Sequence, residues 1–91
     1  MNINSEIVIK QHYFNDLVNS PYFDILSPQI IGEMLYDFRK TLGVTKQQLL
    51  LGRGILQIRD ISLIECGKET RPIMWKKYIS LLLNYSNQLK F

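Results

Sequence analysis

The sequence predicts an all-α domain of about five helices, with strand content near zero. Three observations carry this. Apolar residues recur at steps of three and four along most of the chain. Serine–proline pairs and lone glycines interrupt those stripes where helices start and stop. The 91 residues, 46% of them apolar, are enough for one modest core.

The segment "SEIVIKQHYFNDLVNS" reads as a helix with Ser5 as its N-cap and Glu6 in its first turn. Ile9, Tyr13 and Leu17 fall on one face, with Phe14 and Val18 beside them. The triplet "IVI" by itself fits a short strand equally well. Ser20-Pro21 ends the segment, and "PYFDILSP" follows as a connector with aromatic anchors, too apolar for a free linker. Ser27 then caps, and Pro28 opens, a second helix. Ile31, Leu35, Phe38 and Leu42 form its core stripe, and Gly43 is placed to end it. Thr45 caps a short third helix, "KQQLLLG", with Leu49 turned inward.

The glycines of "GRG" at 52–54 mark a turn. A fourth helix runs through Arg59–Glu65 and starts between Leu56 and Ile58. Ile61 and Ile64 face inward on it, Ser62 and Leu63 less so, and Gly67 stops it at little steric cost. After the loop "GKETR", Pro72 begins a long last helix reaching about Leu89. Trp75, Tyr78, Ile79, Leu82 and Tyr85 recur there at helical spacing, and Met74, Leu81 and Leu83 widen the apolar surface beyond one stripe.

Composition excludes several classes. No apolar run approaches the ~18 residues of a membrane span, and the N-terminus lacks the basic patch and cleavage site of a signal peptide. Cys66 is the single cysteine, which excludes an internal disulfide framework and suits a reducing cytoplasm. Cys66 and the single His12 cannot make a zinc site within one chain, so they read as a surface thiol and a solvated or helix-face imidazole. Enzyme signatures such as G-x-S-x-G, a Walker loop or H-E-x-x-H are absent, and no cofactor is implied. The acidic residues read as solvated surface.

Charge is lopsided. Residues 1–38 carry one base, Lys10, against five acids, whereas residues 39–91 carry ten bases against Asp60, Glu65 and Glu69. A compact basic half is the electrostatic footprint of a nucleic-acid binder. Two helices joined by a glycine turn and followed by a basic loop fit a helix-turn-helix over 45–65, the first helix bracing and the second entering the DNA major groove. RNA is the weaker partner, because single-strand readers use exposed aromatic platforms and Trp75 and the tyrosines read as core.

One residue does not fit a simple helix end. Glu65 sits at the negative end of the helix dipole, where a cation is preferred. The stretches "FRKTLGVTKQQLL" and "ISLIECGKETRP" resemble the lambda-repressor-like (Cro/cI-type) DNA-binding domains over about residues 30–83. The shared pattern is Arg-x-x-Leu-Gly, then Thr-x-x-x-Leu, then Ile-Ser-x-Ile-Glu-x-Gly-Lys followed by a proline. The resemblance implies a core at 28–83 within one domain, a 1–27 extension before it, and 84–91 as the end of the last helix. It also implies that Arg39 grips Glu65, and a guanidinium fork is the donor that rescues a carboxylate at such a site.

The resemblance further implies roles in DNA binding. Gln57, Arg59 and Ser62, with Asp60 nearby, would read bases. Lys46, Gln47, Arg53, Lys68 and Arg71 would hold the phosphate backbone, Arg71 lying along the minor groove just before Pro72. The stretch Thr45–Glu65 is about one residue longer than in typical phage repressors, with "GRGIL" where a shorter turn is usual, and Leu50 stands where a small residue is common. The function implied is a cytoplasmic transcriptional repressor or regulator of phage or mobile-element type, with homodimers expected for paired half-sites. The alternative is a protein-interaction module, antitoxin-like or anti-repressor, built on the same scaffold.

Overall fold

The structure, a computed structural model, describes residues 3–51 and 54–89. Five α-helices follow one another with no strand among the described residues: α1 (Ile3–Val18), α2 (Pro28–Leu42), α3 (Lys46–Leu50), α4 (Ile58–Glu65) and α5 (Pro72–Gln88). A single 3-10 turn, Phe23–Ile25, lies between α1 and α2. None of these helices is long and apolar enough to cross a membrane.

Local signals set most of the boundaries. The Ser27 side chain accepts from the Ile30 N–H, Pro28 occupies the first turn of α2, and Gly43 ends it at φ 68°. Thr45 and Gln48 cap α3 reciprocally: Thr45 Oγ1 accepts from Gln48 N at 3.0 Å, and Gln48 Oε1 from Thr45 N at 2.9 Å. At the end of α4, Gly67 turns left-handed at φ 79°. That lets Lys68 N donate to Leu63 O at 2.9 Å and Gly67 N to Ile64 O at 3.1 Å, the paired closure of a Schellman end.

Ile31, Leu35, Phe38, Leu49, Ile61, Ile64, Trp75, Tyr78, Ile79 and Leu82 are all fully buried and form the centre of the core. α2 packs most closely on α4, and Gly32 is what permits it: a Cβ there would stand 2.3 Å from Ile64 O. α1 rests on α2 and α5, while α3 packs on α4 and α5. Phe14 stacks on Phe38 with centroids 5.0 Å apart, and Phe23 meets Trp75 edge-on at 5.9 Å.

α1 departs from expectation twice. It begins at Ile3, so Ser5 lies inside the helix and is not its N-cap. Its buried side is Ile7 and Phe14, with Leu17 and Val18 half-buried, whereas Ile9 and Tyr13 face outward. Ile7 and Phe14 stand seven residues apart, two helical turns, and this stripe meets α2 and α5. The width of α5 has a simple cause: α1 covers part of it, and Gln11 Nε2 donates to Ser86 Oγ at 2.9 Å and Asn87 Oδ1 at 3.1 Å. In the connector Phe23 is buried but Tyr22 is exposed. Of the tyrosines expected in the core, Tyr78 is there, while Tyr13, Tyr22 and Tyr36 are exposed.

Candidate functional site

The Arg39 side chain leaves the buried flank of α2 and meets Glu65 at the last position of α4. Nε donates to Oε2 at 2.7 Å and Nη2 to Oε1 at 3.1 Å, with side-chain exposures of only 10% and 7%. A third donor is the Tyr78 hydroxyl of α5, which also bonds Glu65 Oε2. Arg39 Nη1 donates to Val44 O at 3.1 Å, tying the α2–α3 corner to the same group. Glu65 thus joins α2, α4 and α5. The hydrogen bond to Glu65 holds the Arg39 guanidinium more firmly protonated than usual. Burial, and next the bond to Glu65, push the Tyr78 hydroxyl well above the ordinary phenol range.

With that end fixed, α4 turns Ile61 and Ile64 inward and leaves Arg59, Ser62 and Cys66 along one outer strip. Gln57 and Arg59 are exposed at its first turn. Asp60 is taken up locally: its Oδ2 accepts from Gln57 N at 2.9 Å, which caps the helix and withdraws this carboxylate from the outer strip. α3 lies beside the strip, and Lys46 Nζ donates to Ser62 Oγ at 2.9 Å. An ammonium has three donors, so this bond leaves two for an external acceptor. Gln47 and Lys68 are exposed. Arg53 lies outside the described residues.

Arg71 takes part in a local ion pair while its side chain stays 66% exposed. It folds onto Glu69, with Nη2 to Oε1 at 2.8 Å, Nε to Oε2 at 3.1 Å, and the Arg71 backbone N–H to Oε2 at 3.1 Å. Glu69 is therefore buried, against the expectation that this acid is solvated surface. The bonds from Arg71 lower its carboxyl from the ordinary 4.5 to about 2. Its carbonyl accepts from Trp75 Nε1 at 3.0 Å, so the loop before α5 is bound to the core on both sides.

Arg39 with Glu65, and Lys46 with Ser62, are the expected site residues that the fold brings into contact; Gln57 and Arg59 sit at one end of the same strip. Three contributors escaped the sequence reading. Tyr78 was one apolar-stripe member among several, and its only signal is a hydroxyl in a core position that must find a partner. Gly32 was silent inside a regular helix, although glycine in a helix interior is itself unfavourable enough to suggest close packing. Glu69 gave no local sign.

Comparison of the chain with family models, curated proteins and solved structures gives no match.

Proposed function

We propose that the chain is a sequence-specific double-stranded DNA-binding protein, a cytoplasmic transcriptional repressor or regulator of bacterial or phage type. In this reading α3, the turn and α4 act as a helix-turn-helix of lambda-repressor-like kind. The observation that carries it is the Arg39–Glu65 fork, which fixes α4 by its far end while Gln57 and Arg59 stay exposed and the half-buried Ser62 is joined to Lys46. A reader helix must be held rigidly from behind and left free in front.

Gln57 suits adenine and Arg59 suits guanine in the major groove. Lys46, Arg53 and Lys68 supply phosphate contacts, while Arg71 contributes less because Glu69 partly neutralises it. The test is a mobility shift with duplex DNA flanking the chain's own gene, with and without non-specific competitor. Arg59→Ala is expected to relax discrimination between specific and random duplex, and Lys68→Ala to weaken both alike. Equal binding of both duplexes by the unmodified protein contradicts the reading.

A second reading has one observation in its favour. Leu51, Ile55 and Ile58, flanking the turn, are exposed, Leu51 to 81%. A protein partner covering 51–58 would bury them and block the strip. Such a module has no affinity for DNA at low salt.

A further inference from the structure

The outer side of α1 has the composition of a binding groove. Ile9 and Tyr13 are 53% and 50% exposed, one turn apart on α1. With Met34 of α2 and the edge of Phe14 they line a shallow apolar groove, crossed by Lys10 and Asp37. Single exposed apolar residues are ordinary, but two large ones a turn apart on α1, set against Met34 of α2 across one groove, are not.

The rim is acidic. Glu6 lines the adjoining depression with Ile9 and Asp37. Asp16 continues the Ile9–Tyr13 strip by one turn, and Glu33 lies one turn before Asp37 on α2; both are exposed. Among the described residues lining the groove, the one base, Lys10, is already bound to Asp37 at 2.5 Å. Glu6, Asp16 and Glu33 therefore leave it net negative. Negative charge repels a phosphate backbone, and it also opposes a second copy of this chain, because a two-fold contact through this face would set acid against acid.

From this we infer that the α1–α2 groove docks a short amphipathic helix of another protein, with an apolar anchor seated between Tyr13 and Met34 and lysine or arginine flanking it. The inference goes beyond the DNA reading and does not depend on it.

The experiment uses the full 91-residue chain, ¹⁵N-labelled, at physiological salt. It is titrated with a synthetic leucine–lysine amphipathic helix, and separately with the same peptide carrying glutamate at every lysine. The lysine peptide is expected to shift the amides of Ile9, Lys10, Tyr13, Met34 and Asp37. Tyr13→Ala and Glu33→Lys, both at exposed positions, are each expected to weaken it about tenfold with unchanged thermal stability. Equal binding of the glutamate peptide, shifts centred on α3 and α4, or unchanged affinity in both variants would overturn the inference.

Discussion

Glu65 stands where a helix end least favours a carboxylate, and three donors from two other helices hold it there. The three groups are nearly buried, so deleting one costs more than the contact itself contributes. Arg39→Ala leaves Glu65 without either guanidinium bond, and a loss of about 3–5 kcal/mol is expected. In a chain of this size each kcal/mol moves the melting temperature by about 4–8 °C, so calorimetry would register a fall well above 10 °C, on the order of the domain's whole margin. Tyr78→Phe removes one bond to a charged acceptor and keeps the ring, so about 1.5–3 kcal/mol is expected. If Arg39→Ala melts like the unmodified protein, the network does not hold α4. Glu69 gives a pH signature. Its folded pKa is depressed, so the stability it contributes is complete above about 4.5 and fades as pH falls towards about 2. Urea midpoints measured across that window should fall for the native chain and change less for Glu69→Gln.

Between elements, the closest approach is α2 on α4 at Gly32. Gly32→Ala would press a methyl onto Ile64 O, and overpacking of this kind costs about 1–3 kcal/mol. Since α4 must tilt to accommodate it, the same variant is expected to bind DNA more weakly even below its melting temperature. Circular dichroism and mobility shift on one sample would separate the two effects. The helix ends were legible because their chemistry is local: Ser27-Pro28, Gly43, Thr45, Gly67 and Pro72 act within one turn of themselves. The buried side of α1 was not legible. Ile7 with Phe14, and Ile9 with Tyr13, both satisfy a helical period, and only the positions of α2 and α5 choose between them. For the site, the need for a donor at Glu65 could be read from its awkward position, while Arg39 as that donor comes from the family resemblance. The Arg71–Glu69 fork could not, because it depends on a loop whose shape is set by Trp75.

At the scale of the whole molecule, charge is segregated. The acidic first 38 residues supply α1 and most of α2, and the basic remainder supplies the helices proposed to meet DNA. Each phosphate contact contributes about −0.9 to the slope of log affinity against log salt, so Lys46, Arg53 and Lys68 give roughly −2.7, and Arg71 would extend this to about −3.6. The most direct measurement is therefore fluorescence anisotropy of duplex DNA titrated with this protein over a series of salt concentrations. The DNA reading predicts a linear log–log plot with a slope in that interval, made shallower by about 0.9 in Lys68→Ala. No binding at low salt, or an affinity that salt leaves unchanged, would contradict it.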